Sequence, residues 1–370
     1  MRILFAFAGG QGHFEPLVPL ARAAVQAGHA VAVTGRAELL GAIEARGFEA
    51  LESPGAAPDP AKRLGLAPFD RANEERALRE WYAGTLARER ADALLVLAGE
   101  WRAGAVVRDE VDFGARVAAE RLGVPSACVL VIVAPWFLSS DVIDEPLAAL
   151  RASHGLGGEA ADEAVLSPFP PRLRSVAGAL GFRGAAAPAA SGDAVYVTLG
   201  TVFNAESGDL FPRVLAGVRG LGVPVIATVG RQLDPAEVGP QPAHVRVERW
   251  LDQATVLPGC RAVVSHGGSG SVLGAFAHGL PSVLLPIGAD QPATAARCAE
   301  LGAAIVLDPV TATPDDIGAA VRRVLGDPAY ARAAGAVRRE ILALPSAAEA
   351  IAGFTAGKGS SSSRAVDGSP

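Results

Sequence analysis

Short runs of consecutive apolar residues alternate along this chain with longer stretches whose apolar positions fall three and four apart. The first run, residues 2–8 (RILFAFA), predicts a strand. Pro16 can occupy the first turn of the helix that follows, and Gly28 can end it. Between them Leu17, Leu20, Ala21 and Ala24 share one face. Residues 30–35 (AVAVTG), 105–109 (AVVRD) and 126–133 (SACVLVIV) predict further strands, and FGARVAAERLG between the last two reads as a helix. Strand–helix–strand repetition implies right-handed crossovers and a parallel sheet.

The alternation breaks at residues 178–193 (GALGFRGAAAPAASGD), whose Gly, Ala and Pro content is that of a linker. It then restarts, with strands predicted at residues 194–200, 223–230, 262–268, 282–288 and 303–307. The pattern predicts an α/β protein of two Rossmann-like domains facing across a cleft. The first spans 1–177 and the second 194–356, whose last helix can pack back on the first domain. Residues 357–370, ending GSSSSRAVDGSP, predict a disordered tail. Ligands of such sheets bind beyond the carboxyl ends of the strands, so chemistry is expected at strand-to-helix junctions.

A length of 370 residues with half of them hydrophobic supports two domains with a sizeable core. No apolar run is long enough to span a membrane, and the N-terminus reads as a strand rather than a signal peptide. A cytoplasmic protein is expected. Cys128, Cys260 and Cys298 lack disulfide or metal-type spacing and read as core residues. The net charge of -6 and the absence of basic runs argue against a nucleic-acid partner. Oligomeric state is not legible, a homodimer being allowed.

The first candidate junction is GGQGHFEP, residues 9–16. As a dinucleotide fingerprint it would need a third glycine at position 15, where Glu15 stands. That glutamate would also put a carboxylate where a pyrophosphate rests on a helix N-terminus. What remains is His13 in a glycine-flanked loop, the side chain best suited to general-base work near neutral pH. Asp109 closes a strand of the same sheet and could fix the imidazole's tautomer. Glu110 and Asp112 compete with it, and the sequence does not rank the three. The glycines are read as clearing room for an acceptor beside His13.

The second junction is denser. Residues 262–265 (AVVS) run into His266-Gly267-Gly268-Ser269-Gly270-Ser271 and a helix. Glycines admit a ligand to the backbone, and the helix end offers free N–H groups, which makes a phosphate site without a Walker lysine. His266 could donate to a phosphate oxygen, and Ser271 could do so or cap the helix. Trp250 offers an aromatic plane for a base. Asp290 and Gln291 follow another strand and suit sugar hydroxyls. Gly200 and Thr201, after VYVTL, could reach the same phosphates.

These residues carry a resemblance. The segment from Trp250 to Gln291 resembles the donor-binding signature of inverting, nucleotide-sugar-dependent glycosyltransferases of the GT-B fold, most of all the antibiotic and macrolide glycosyltransferases of actinomycetes. GHFEPLVPLARAAVQAGHAVAV, VVRDEVDFGARVAAERLGVPSA, SPFPPRLRS and VYVTLGTVFN extend it over most of the chain. The resemblance implies that His13 deprotonates the acceptor hydroxyl and that Asp109 orients it. It implies that Trp250 stacks on the base, with Gln253 near base or ribose. His266, Gly268, Ser271 and Thr201 would hold the diphosphate, and Asp290 and Gln291 the sugar. By the same resemblance Gly200, Leu251, Ser269 and Gly270 would belong to the donor site. No D-x-D motif appears, so no metal and no cofactor are expected beyond the nucleotide sugar as co-substrate.

One departure bears on the donor. Many UDP-sugar enzymes of the family have a glutamate three residues after the signature serine, contacting both ribose hydroxyls. Here that position is Gly274. A 2'-deoxyribose needs no such carboxylate, so a dTDP-sugar, typically a deoxysugar, is the expected donor. The acceptor is expected to be a hydrophobic natural product against Phe69, Trp81, Trp136 and Phe137. The alternatives are a UDP-sugar-dependent transferase acting on a lipid or sterol, and a non-catalytic nucleotide-sugar-binding helper. The second would need no base.

Overall fold

The computed structural model describes residues 1–55, 65–184, 187–200, 207–231, 233–357 and 360–361. The first sheet is built from β1 (Arg2–Ala6), β2 (Ala30–Gly35), β3 (Glu49–Glu52), β4 (Ala105–Asp109), β5 (Ser126–Val129), β6 (Glu163–Ser167) and the two-residue β7 (Leu180–Gly181). The second contains β8 (Ala194–Thr198), β9 (Val225–Thr228), β10 (Val245–Glu248), β11 (Cys260–Ser265), β12 (Ser282–Leu284) and β13 (Ala304–Val306). A last short strand, β14 (Ser360–Ser361), pairs antiparallel with β6, inside the stretch expected to lack structure. The rest of that tail, 358–359 and 362–370, lies outside the described residues.

Both sheets repeat one order. The first reads β3-β2-β1-β4-β5-β6 and the second β10-β9-β8-β11-β12-β13. This is the doubly wound arrangement whose order reverses between the first and fourth strands of each half, where a crevice opens. In the first sheet the switch lies between β1 and β4, in the second between β8 and β11. The α/β fold class expected from the hydrophobic pattern is the observed one.

Local sequence explains the elements. Strands buried on both faces read as largely apolar runs; β4, β8 and β12 are buried at every position, with the Arg108-Asp109 pair at the end of β4 the charged exception. In the helix Val18–Gln26, Pro19 lies in the first turn, and Gly28 follows its end at φ 82°. The face read from Leu17, Leu20, Ala21 and Ala24 is buried against the first sheet. Asp112 caps the helix Phe113–Leu122 by accepting from Ala115 N–H at 3.0 Å.

Several strands end before their apolar runs do. The run 126–133 leaves the sheet after Val129 because the buried Glu110 carboxylate takes the N–H groups of Val131 (2.6 Å) and Ile132 (2.7 Å). Three strands carry no apolar run long enough to announce them: β3 (EALE), β6 (EAVLS) and β10 (VRVE). The three cysteines are free and buried, and burial pushes each thiol up to about 12, so they are inert packing groups.

The two domains share an apolar seam. Leu130, Val133, Phe169 and Leu173 of the first pack with Val272, Phe276, Leu284 and Ala295 of the second. Leu66, from the long connection after β3, packs on the second core and lies against Gly208. The helix Ala347–Thr355 returns to the first domain, where Ala350, Ile351 and Phe354 enter its core. No helix among the described residues is long and apolar enough to cross a membrane.

Candidate active site

Both switch points carry a histidine. At the first, β1 leads into the short helix Gln11–Phe14, held down by Phe14, which stacks on Phe7 with ring centroids 5.3 Å apart. His13, one residue before this anchor, has 28% of its side chain exposed. Its Nδ1 lies 2.9 Å from Oδ2 of Asp109, the last residue of β4. Asp109 is fully buried and also accepts from Ala8 N–H (3.2 Å) and Val111 N–H (2.9 Å). An ionised carboxylate only accepts, so in the neutral imidazole Nδ1 carries the hydrogen and Nε2 keeps the lone pair.

Of the three acids the sequence left open, Asp109 is the one on the imidazole. Glu110 is turned to the backbone of Val131 and Ile132 and to Arg174 (2.8 Å). Asp112 pairs with the buried Arg90, whose Nε lies 2.8 Å away. Burial opposes charge on His13, but the Asp109 charge and hydrogen bond override it, and His13 titrates above the ordinary histidine range. Burial likewise works against the Asp109 carboxylate, and His13 and Arg90 hold it below its usual value.

One glycine of this loop, Gly9, differs from expectation. A β-carbon at Gly9 would fall inside the His13 imidazole, 2.7 Å from Nε2, whereas nothing lies within 4 Å of one at Gly10 or Gly12. The room at Gly9 is taken by the histidine ring itself, not kept for an acceptor.

At the second switch point, β11 ends at Ser265 and His266 follows. Its ring is flanked by glycine on two sides: a β-carbon would stand 2.7 Å from Nε2 at Gly200 and 2.5 Å from it at Gly268. His266 is buried, and burial pushes its pKa down to about 4. It is a neutral imidazole at neutral pH. The helix Ser269–Ala277 starts here, with Gly268 as its N-cap and no side-chain hydrogen bond to its first amides. Gly270 has open space around its Cα. Ser271 Oγ accepts from Gln253 Nε2 at 3.5 Å, at the limit of a hydrogen bond. Trp250 is exposed, Leu251 is half-buried, and the Arg231 guanidinium lies over the Trp250 ring at 4.2 Å. Thr201 lies outside the described residues.

Asp290 precedes the helix Gln291–Glu300 and follows Ala289, whose φ of 53° is a left-handed conformation in a non-glycine residue. Its Oδ2 accepts from Ser269 Oγ (2.6 Å) and Thr294 Oγ1 (3.1 Å), while burial raises its pKa. Its charge reaches His13 across the cleft and adds to the pull on that imidazole. Gln291 is buried, and its Oε1 accepts from the Ile287 (2.8 Å) and Gly288 (3.2 Å) amides. Its carboxamide oxygen thus shapes the loop, and only Nε2 remains for a ligand.

On the first domain, Phe69 and Trp136 meet edge to face with centroids 5.9 Å apart, and the Arg71 guanidinium lies 4.7 Å over Trp136. Trp81 is exposed on the π-helical stretch Ala77–Thr85, a geometry frequent at functional sites. The side chain of Phe137 lies outside the described residues. Sequence reading missed Arg231, Thr294 and Tyr82. Tyr82 follows Trp81 and is close enough to Asp109 for burial and that charge to raise its phenol's pKa. Only its place beside Trp81 could have signalled it.

The family model "Erythromycin biosynthesis protein CIII-like, C-terminal domain" matches residues 213–356. The chain is 30% identical to the 3-alpha-mycarosylerythronolide B desosaminyl transferase of Saccharopolyspora erythraea, over 95% of this chain and 97% of that protein. Its fold is similar to that of the glycosyltransferase SnogD from Streptomyces nogalater, with a TM-score of 0.77 and 26% identity over 96% of this chain and 99% of that one. It is also similar to the spinosyn rhamnosyltransferase SpnG complexed with thymidine diphosphate, with a TM-score of 0.81 and 23% identity over 96% and 100% of the two chains. The two switch-point sheets, the glycine-flanked histidines and the full-length likeness agree: this chain belongs to the GT-B glycosyltransferases of actinomycete antibiotic and natural-product biosynthesis.

Proposed function

We propose that this enzyme moves a deoxysugar from a dTDP-sugar to a hydroxyl of a hydrophobic natural-product aglycone, with inversion at the anomeric carbon and without a metal. The observation that carries the reading is the 2.9 Å contact between His13 Nδ1 and the buried Asp109, which leaves Nε2 as a base. Nε2 takes the acceptor's hydroxyl proton as the oxygen attacks the anomeric carbon. The bond from that carbon to the diphosphate oxygen breaks, and the electron pair leaves with the nucleoside diphosphate. Attack from the His13 side on a donor held by the second domain is in line with the leaving group and so inverts the centre.

The charge of the departing diphosphate would meet the free amides at the start of helix Ser269–Ala277 and a hydrogen bond from His266. A neutral His266 suits this role, since it donates without carrying a fixed charge. Trp250 would carry the base on the face that Arg231 leaves open. Asp290 and Gln291 would meet the sugar. Phe69, Trp136 and Trp81 would face the aglycone.

Gly274 supports the thymidine choice. A β-carbon there would stand 3.3 Å from Gln253 Oε1, so a side chain at 274 would point along the residue expected beside base and ribose. Glycine supplies no carboxylate for a ribose 2'-hydroxyl. SpnG, a protein of the same fold, is complexed with thymidine diphosphate.

Calorimetric titration with dTDP, UDP, GDP and NAD, with and without a chelator, tests the donor. Tightest binding of dTDP, unchanged by the chelator, is expected. Equal or tighter binding of UDP would overturn the thymidine choice and favour the lipid- or sterol-directed alternative. Nucleotide binding without any transfer across an aglycone library would favour the helper.

A further inference from the structure

Ser269 stands in the signature loop, where a phosphate ligand is expected. Its hydrogen bonds run elsewhere. Val133 N–H, from the segment after β5 of the first domain, donates to Ser269 Oγ at 2.7 Å. Ser269 Oγ in turn donates to Asp290 Oδ2 at 2.6 Å. Val133 and Ser269 are both buried. A serine hydroxyl has one proton. Here that proton is directed at Asp290 Oδ2, so the hydroxyl has nothing to donate to a diphosphate oxygen.

We infer that Ser269 is a positioning residue that locks the Asp290 carboxylate to the first domain, and so sets the sugar's place relative to the base. The inference rests on the proposed donor reading, in which Asp290 meets sugar hydroxyls. Three features make the relay specific. Its first member follows β5, which pairs directly with β4, the strand ending in Asp109. Its last member is the carboxylate whose charge reaches His13. Among the described residues the hydroxyls of Ser269 and Thr294 both address Asp290 Oδ2, which leaves Oδ1 to meet a sugar hydroxyl. The left-handed backbone at Ala289 sets the carboxylate's approach from its own side. The relay sets it from the other. The spacing between base and anomeric carbon is what in-line attack is most sensitive to.

The test compares binding of dTDP and dTDP-glucose, by calorimetry, to the full-length wild type and to Ser269→Ala, Ser269→Thr and Asp290→Asn. Ser269→Ala should weaken dTDP-glucose about tenfold, the worth of one hydrogen bond to a charged group, while leaving dTDP unchanged. Ser269→Thr keeps the hydroxyl and should restore wild-type binding, which separates the relay from a general packing defect. In the Asp290→Asn background, Ser269→Ala should add little, because its path is already cut. Equal loss of dTDP and dTDP-glucose would make Ser269 a phosphate ligand and overturn the inference. So would unchanged dTDP-glucose binding, failure of threonine to restore it, or full additivity with Asp290→Asn. A wild type that does not bind dTDP would overturn the donor reading and this inference with it. A failure confined to the variants overturns this inference alone.

Discussion

His13 and His266 occupy equivalent places. Each follows the carboxyl end of a central strand at the switch point of its sheet, and each lies against a glycine whose missing β-carbon makes room for the ring. Their titration is opposite. Burial would lower both, but Asp109 beside His13 reverses the sign there, while burial takes His266 down to about 4. The difference follows from the work each side would do. Moving a proton needs a titratable group with a pKa near the operating pH, and at His13 the resident charge moves it upward. Holding a leaving anion needs donors that bring no competing negative charge, which amides and a neutral imidazole supply. On the proposed function, one fold, used twice, would separate proton transfer from charge stabilisation by placing a single carboxylate.

The sharpest break in that comparison is His13→Ala. It should lower kcat about a thousandfold, the usual scale of a lost general base, and leave dTDP affinity unchanged. Equal loss of both in parallel kinetic and calorimetric runs would merge the two sites into one. Gly9→Ala comes next. Gly9 lacks the positive φ that disfavours alanine, so the new methyl acts only by displacing the imidazole. A fall of about a hundredfold in kcat with dTDP binding intact is expected, and full activity would show that the ring has another place to go. Gly268→Ala is the mirror experiment. At φ -61° the backbone accepts alanine, but the methyl meets His266. Donor KM should rise about tenfold while the pH profile of kcat holds still. Gly274→Glu should have the smallest effect, a few-fold shift of preference from dTDP toward UDP in competitive titrations. No shift would remove position 274 from nucleotide choice.

Much of the site was readable because it sits where short apolar strands stop. RILFAFA stops at glycines and AVVS stops at His266, which sets both histidines at strand ends from the sequence alone. Other points depended on pairing across the sheet. Asp109 could not be separated from Glu110 and Asp112, three residues apart in all, because the choice depends on β4 lying beside β1 with Ala6 opposite Arg108. The use of Gly9 as space for an imidazole also needed coordinates, since a glycine records only that a side chain is missing. The bond from Ser269 to Val133 joins positions 136 apart in sequence and leaves no local trace. Strands β3 and β10 lack a sequence signal for a simpler reason. They are four-residue strands at sheet edges with glutamate or arginine among them, so their apolar signal is short.

On the proposed function, Asp109 makes His13 a stronger base by raising its pKa. The pH dependence of kcat/KM, compared between wild type and Asp109→Asn, tests it most directly. His13 must be neutral to accept a proton, so activity should fall on the acid side as pH drops through its raised pKa. With the carboxylate gone, burial alone acts on the ring. The acid limb should move to lower pH while the plateau falls about a hundredfold through loss of the held tautomer. An acid limb that stays in place, with or without a lower plateau, would show that Asp109 does not tune His13 and would contradict the account.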